Sequence, residues 1–290
     1  MAGYTVVASE AGSRADIFLA SKFPRFSRSV IHQLFNKDMV RLGPKAIKAS
    51  YKVQIGDKLN VDETYLSTKA PAINLPILYE DDSVIVIDKP SGLLTHAKGA
   101  LNAESSVASF IADKIVDKQL DSNRAGIVHR LDRGTSGVII TAKTKAASDW
   151  LQKQFSKRSA KKVYWAIVHG APNPSQAIID APIDRNPAKP QSFKVGPSGK
   201  NAITEYKVLK TSVKNSQRYS LVEIKPMTGR THQIRVHLAY IKHPIVGDSL
   251  YGKDRGPIML HASSLELTLP NGSRRKFISQ TPSRLRDFFK

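Results

Sequence analysis

The spacing of apolar residues changes character along the chain. Near the N-terminus Ile17, Phe18, Leu19 and Phe23 recur at helical spacing. Ser27 then stands as an N-cap before Val30, Ile31, Leu34 and Phe35, so two short helices are predicted. Leu42-Gly43-Pro44 interrupts the helical pattern. Tyr51, Val53 and Ile55 alternate, Gly56-Asp57 reads as a turn, and Leu59 and Val61 alternate again, which predicts a strand pair. From residue 75 the pattern turns strand-rich. Val84-Ile85-Val86-Ile87 and Val138-Ile139-Ile140 are unbroken apolar runs, as expected of central strands covered on both faces. Residues 219–225 and 265–269 alternate, and Pro270-Asn271-Gly272 folds the second of these back onto residues 276–279. Helical spacing returns near residues 145–155 and 230–242. The pattern predicts an α+β protein in three parts. Residues 1–61 form a small basic module, residues 62–74 a linker containing Lys69-Ala70-Pro71, and residues 75–290 a domain on a mixed, mostly antiparallel sheet.

With 290 residues, 41% of them hydrophobic, the chain can bury a core of its own. Lysine and arginine exceed aspartate and glutamate by 45 − 24 = 21 charges, an excess that calls for a polyanion and favours nucleic acid. The excess is +6 in residues 1–61, −1 in the linker and +16 beyond it, so both folded parts are expected to hold RNA. In the first part Arg25, Arg28, Lys37 and Arg41 are the candidates for the phosphate backbone. There is no cysteine, which removes disulfides, thiolate metal sites and cysteine nucleophiles. His232, His237 and His243 are spaced by five and six, whereas a helical metal pair wants four, so they read as capping or core-edge histidines and no metal site is expected. No Gly-rich loop ends in Gly-Lys-Ser/Thr, and no Gly-x-Gly-x-x-Gly follows a strand, so no nucleotide cofactor is expected. No apolar run approaches about 18 residues, and no basic start leads into one. We therefore expect a cytoplasmic protein with no membrane partner.

One polar stretch remains, His129-Arg130-Leu131-Asp132-Arg133-Gly134-Thr135-Ser136-Gly137, directly before a buried strand. It offers a single carboxylate, Asp132, between Arg130 and Arg133, with Thr135, Ser136 and Gly137 leaving room for a ligand. A carboxylate among guanidinium groups stays ionised, as a nucleophile or base must. A structural salt bridge at a turn would look the same. A second stretch, residues 226–237, enters a helix through a turn and carries Arg230 and Arg235. Such a helix start favours an anion, which could be a phosphate or the carboxylate of Asp132. Tyr164, Trp165 and Tyr251 supply rings that could stack on unpaired bases or serve as core.

In order and wording these blocks resemble the RluA family of RNA pseudouridine synthases. The resemblance runs through Ile87-Asp88-Lys89-Pro90-Ser91-Gly92-Leu93, the 129–137 stretch, Lys162-Val163-Tyr164-Trp165-Ala166, residues 229–237, His243-Pro244-Ile245-Val246-Gly247-Asp248 and Leu260-His261-Ala262. Gly134 departs from it, standing where the family more often has a polar or acidic residue. Within residues 1–61, Arg14-Ala15-Asp16-Ile17-Phe18-Leu19, Ser27-Arg28-Ser29 and residues 48–57 resemble the RNA-binding module named for the fourth protein of the small ribosomal subunit. Leu42-Gly43-Pro44 replaces the usual Asn-Gly turn of that module.

The resemblance implies the pseudouridine synthase fold and a cofactor-free isomerase. It implies Asp132 as nucleophile, Arg235 paired with it, and Tyr164 against the uracil ring. Arg130 would hold the target nucleotide out of the RNA stack, and Leu260 would help close the pocket. His129, Arg133 and Arg230 complete the expected RNA-contacting set, with Thr135, Ser136 and Gly137 in the pocket. Ribosomal RNA of the large subunit is favoured as substrate and a monomer is expected. The alternatives are a transfer-RNA synthase, a glycosidic hydrolase, or a non-catalytic RNA-binding or ribosome-assembly protein of the same fold.

Overall fold

The computed structural model describes residues 1–68, 70–97, 104–120 and 126–290; Lys69, in the expected linker, lies outside them. The described residues fall into two compact units, one built on Met1–Ile73 and His96–Phe110, the other on Asn74–Thr95, Ile111–Leu120 and the chain from residue 126 onward.

In the first unit β1 (Ala2–Thr5) is followed by helices α1 (Ala15–Lys22) and α2 (Arg28–Asn36). Strands β2 (Val40–Leu42), β3 (Lys45–Ala46) and β4 (Lys58–Val61) complete an antiparallel sheet in the order β1-β4-β2-β3. Phe18, Leu19, Ile31, Leu34, Val40, Leu59 and Val61 form its core, so the helical spacing read from the sequence is the buried stripe. The strand pair differs from expectation. Residues 51–55 are a loop in which Lys52 makes one bridge to Arg14, and Asp57 accepts from the Tyr51 hydroxyl and the Gln54 N–H. Tyr51 and Val53 pack on the core while Ile55 is exposed, so the alternation reports loop side chains turning in and out, with no ladder. Gly43-Pro44 is the turn of the β2–β3 hairpin, with Gly43 at φ +59°, and the helix has already ended at Asn36. Ser27 does hold the N-cap position, but its hydroxyl pairs with Ser29. The start of the expected linker is ordered by the same core: Tyr4 donates to Glu63 at 2.6 Å, and Tyr65 and Leu66 pack on the cluster.

The second unit is organised by a nine-stranded sheet. Helix α3 (Val107–Ile111) lies, up to Phe110, in the first unit; the elements of the second, in chain order, are β5 (Ile77–Glu80), β6 (Val84–Lys89), β7 (Ser136–Ala142), α4 (Lys145–Ser156), β8 (Lys161–His169) and β9 (Gln176–Asp180). Then come β10 (Ile183–Arg185), β11 (Phe193–Val195), β12 (Ile203–Lys214), β13 (Gln217–Pro226), α5 (Gln233–Tyr240), β14 (Leu260–Thr268), β15 (Arg274–Ile278) and α6 (Ser283–Arg286). The strand order is β5-β6-β7-β14-β8-β13-β12-β9, with β15 on the edge of β14; β10 and β11 form a separate pair. Among the described residues every strand pairing but one is antiparallel, the exception being β7 with β14. The two unbroken apolar runs are β6 and β7, interior strands with Val84, Ile85, Val86, Ile87, Ile139 and Ile140 all fully buried. Helix α4 covers one face through Ala147 and Leu151, packed with Val86, Ile140 and Leu267.

The parallel contact of β7 with β14 decides where the site sits. Its register pairs Ser136 with His261 and Gly137 with Ala262. Gly137 has φ +112°, and a Cβ there would fall 2.1 Å from the Ala262 carbonyl oxygen, so only glycine lets the strands meet. The space next to Gly137 therefore belongs to β14 and is not room for a ligand. Ser136 likewise turns into the structure, 3.0 Å from His261 Nδ1, and accepts from Arg284 Nη2 at 3.2 Å. The junction brings the end of the 129–135 loop against Leu260, the first residue of β14.

Helix α5 begins at Gln233, three residues later than the spacing suggests. His232 before it is left-handed, φ +57°, so Arg230 lies in a turn and not on the helix. Gln233 holds that turn: its Oε1 accepts from Thr228 Oγ1 and Arg230 N–H, and its Nε2 donates to Ile203 O and Thr204 Oγ1. His237 is fully buried between Thr204 Oγ1 and the Ala181 carbonyl, and His243 Nδ1 meets the His169 carbonyl, so both are structural histidines. Among the described residues no group of three or more possible ligands could hold a metal, and no helix is long and apolar enough to cross a membrane.

Candidate active site

Asp132 stands on a loop whose backbone is fixed from both ends. Thr95 Oγ1 donates to Leu131 O at 2.7 Å and accepts Leu131 N–H at 3.2 Å. Ser91 Oγ donates to Gly134 O at 2.6 Å, and Gly92 N–H donates to Arg133 O at 2.8 Å. Below them the fully buried Lys89 gives its ammonium to the carbonyls of Pro90, Leu93 and Arg133 at 3.0, 2.8 and 3.2 Å. Burial pushes this ammonium down to about 7, with the charge of Asp132 pulling the other way. The loop after β6 thus clamps the loop that carries Asp132. No periodicity in the sequence marked Lys89, Ser91 or Thr95.

The Asp132 side chain is 19% exposed, and its Oδ2 faces two groups of the 230–235 segment. Arg235 Nη1 lies at 3.6 Å and His232 Nε2 at 4.0 Å. Arg235 is itself held elsewhere: Nε and Nη2 donate to the two carboxylate oxygens of Asp248, each at 2.8 Å. Its guanidinium also lies over the Tyr251 ring, 5.0 Å from the centroid. Burial works against that cation, but the hydrogen bonds and charge of Asp248, with the charge of Asp132, hold it above its ordinary range. The guanidinium paired with Asp132 therefore comes from α5. Arg130 and Arg133, which were expected to surround it, are both exposed and part company, Arg130 on the rim of one cavity and Arg133 on that of another.

The first cavity, about 400 Å³, fits a nucleotide base. Asp132, Tyr164, Leu260, Arg235, His232 and Thr135 meet in its wall. Tyr164 comes from β8 and is 9% exposed; burial, and then the charge of Asp132, push its hydroxyl well up. Leu260 is 3% exposed. Lys162, two residues before Tyr164 on the same face of β8, also lines the cavity, and burial pushes its ammonium down to about 8. Arg230 sits on the rim with its Nε donating to Asn201 O at 2.9 Å.

His129 lines the wall differently from the RNA contact expected of it. Its Nε2 accepts Ile140 N–H at 3.1 Å, and its ring stacks on Phe155 at 4.5 Å. Burial pushes it down to about 3, so it is a neutral wall group with no charge to offer a phosphate. Gly134 is explained by its neighbour, since a Cβ there would fall 2.7 Å from Ile258 Cγ2.

In the first unit Arg25, Arg28, Lys37 and Arg41 are exposed. Arg28 has a structural task as well. With Arg14 it grips the buried Asp16, whose carboxyl is pushed up by burial but held below its usual range by the two guanidinium groups. Lys37 lies over the Tyr65 ring at 5.1 Å, and Arg41 donates to Pro44 O at 3.4 Å.

Residues 83–240 match the model of the RNA pseudouridylate synthase family. The chain is 37% identical to ribosomal large subunit pseudouridine synthase D of Borreliella burgdorferi, over 96% of this chain and 90% of that one. It is 39% identical to the protein of the same description from Xanthomonas campestris, over 84% and 72%. Its fold is that of human RNA pseudouridylate synthase domain containing 1, with TM-score 0.60, 26% identity, and 74% and 88% of the two chains covered. By the family match and these relatives, the chain belongs to the RNA pseudouridylate synthases, isomerases that convert uridine to pseudouridine in RNA.

Proposed function

We propose that the chain isomerises uridine in large-subunit ribosomal RNA, with Asp132 as the nucleophile. The observation that carries this reading is the placement of Asp132 at the wall of the base-sized cavity, 3.6 Å from Arg235 and beside Tyr164 and Leu260. Isomerisation breaks the bond from N1 to C1′, leaves its electron pair on the uracil, turns the base and joins C5 to C1′. The hydrogen on C5 departs as a proton, N1 takes one up, and the bond that Asp132 forms to the nucleoside is broken again before product leaves, so atoms and charge balance without a cofactor. The freed base must be kept from water, which the buried Tyr164 and Leu260 provide. Arg130 on the rim is suited to fill the gap left by an extruded nucleotide.

The ribosomal substrate is supported by the names of the relatives and by the +21 charge. Residues 1–61 would act as an RNA-binding module of the small-subunit ribosomal type, offering Arg25, Arg28, Lys37 and Arg41, with residues 75–290 as the catalytic domain in a cytoplasmic enzyme. Large-subunit ribosomal RNA labelled with tritium at C5 of uridine should lose tritium to water when the protein is added. Labelled transfer RNA should not. Release from transfer RNA alone would move the substrate, and release from neither would overturn the reading.

Lys162 gives this reading a pH dependence. Its pKa in the folded protein is lowered to about 8, so the cation is present below that pH and lost as pH rises through it. The KM for RNA should therefore climb between about pH 7 and 9, and Lys162→Arg, permanently charged, should flatten the climb. A native profile that is flat over this range would remove Lys162 from substrate binding.

A further inference from the structure

His232 is held more firmly than a capping residue requires. Its backbone is left-handed, φ +57°, a conformation that strains a non-glycine residue and collects at functional positions. Its ring is gripped edge-on by two others, Phe193 at 5.7 Å and 80° and Tyr251 at 5.6 Å and 83°. The strain and the clamp together aim Nε2 into the cavity, 4.0 Å from Asp132 Oδ2.

The hydrogen bonds favour one placement of the ring proton. The Tyr251 oxygen accepts Phe193 N–H at 2.9 Å and lies 2.9 Å from His232 Nδ1. Nδ1 is the acceptor this hydroxyl meets among the described hydrogen bonds, so we place the hydroxyl hydrogen there. Nδ1 is then an acceptor and Nε2 bears the hydrogen. Burial holds the ring below its ordinary range and so neutral, with the charges of Asp132 and Asp248 acting the other way and those of Arg235 and Arg130 assisting. The result is a neutral N–H donor, fixed in direction, beside the nucleophile.

We infer that His232 is a further catalytic residue, whose Nε2–H donates a hydrogen bond to O2 of the target uracil and stabilises the base as it leaves C1′. The inference rests on the reading of Asp132 given above. When the N1–C1′ bond breaks, the charge left on the ring is shared between N1 and the carbonyl oxygens, and O2 is the one beside C1′. A donor about 4 Å from the attacking carboxylate is within reach of that oxygen. No proton is transferred; the bond strengthens as charge grows on O2, which is what lowers the barrier.

The test crosses one protein atom with one substrate atom. His232→Asn keeps a residue that tolerates the left-handed backbone but is too short to reach O2, whereas His232→Gln places an amide N–H near the position of Nε2. Large-subunit ribosomal RNA transcribed with tritiated UTP, or with tritiated 2-thio-UTP, supplies O2 or a weakly accepting sulfur. With ordinary RNA, His232→Asn should lower kcat about 10²-fold at unchanged RNA affinity, and His232→Gln should recover all but about tenfold. With the 2-thio RNA, native protein and His232→Asn should differ by less than about threefold, because the bond they differ in is absent from both. If the 100-fold loss persists with sulfur, His232 acts through Asp132 or the fold and the inference fails. Asp132→Asn run alongside separates the two readings: activity retained there would overturn the role of Asp132 itself.

Discussion

Asp132→Asn is expected to lower tritium release from labelled RNA by about 10⁴-fold or more while leaving RNA affinity within about twofold. The substitution keeps the volume and the pocket wall and removes only the negative charge. An amide cannot attack carbon or accept a proton at neutral pH, and among the described residues no second carboxylate is placed to substitute. Asp248, which also approaches Arg235, is 1% exposed and has both oxygens occupied by that guanidinium. RNA affinity is expected to follow a different set of groups, the excess of 21 positive charges, and neutralising one half-buried carboxylate leaves the slope of binding against salt unchanged. Catalysis lost with binding and salt slope intact assigns the chemistry to Asp132. Activity within tenfold of the native protein would place it elsewhere.

The sequence carried some parts of this site and not others, for reasons that lie in particular residues. β6 and β7 were legible because strands buried on both faces must be apolar throughout, and the β14–β15 hairpin because Asn271-Gly272 fits few other structures. Asp132 was legible as the single carboxylate of a polar loop entering a buried strand. Ser136 and Gly137 were misread because a small residue marks where space is needed without saying for what; the space is filled by the backbone of β14. The start of α5 was misplaced because a left-handed histidine leaves no compositional trace. Of the guanidinium groups expected around Asp132, Arg235 lies 3.6 Å from it, as the resemblance implied, whereas Arg130 and Arg133, its neighbours in sequence, line two different cavities. Tyr51, Val53 and Ile55 alternate without a ladder because a loop packed on a core also turns its side chains in and out.

Asp248 is the residue whose importance the sequence conceals most, and Asp248→Asn should damage stability and catalysis together. Its carboxylate is fully buried and takes four donors: Nε and Nη2 of Arg235 at 2.8 Å, and the N–H groups of Leu250 and Tyr251 at 3.0 and 3.1 Å. An asparagine at this place cannot accept from both arms of the guanidinium, and it leaves a buried cation short of its counter-charge. Breaking a buried pair from one side costs about 3–5 kcal/mol, which for a domain of this size lowers Tm by roughly 6–20 °C. The catalytic effect follows from where Arg235 goes next. In the native protein the grip of Asp248 keeps Arg235 Nη1 3.6 Å from Asp132, close enough to balance its charge without tying up its lone pairs. Released, the guanidinium closes on Asp132 and forms direct hydrogen bonds that the proposed nucleophile must break before it can act. We expect kcat to fall about 10²-fold with KM for RNA little changed, measured well below the lowered Tm so that unfolding does not contribute. A fall in Tm with kcat unaltered would mean that Asp248 holds the loop after α5 in place and leaves the nucleophile untouched.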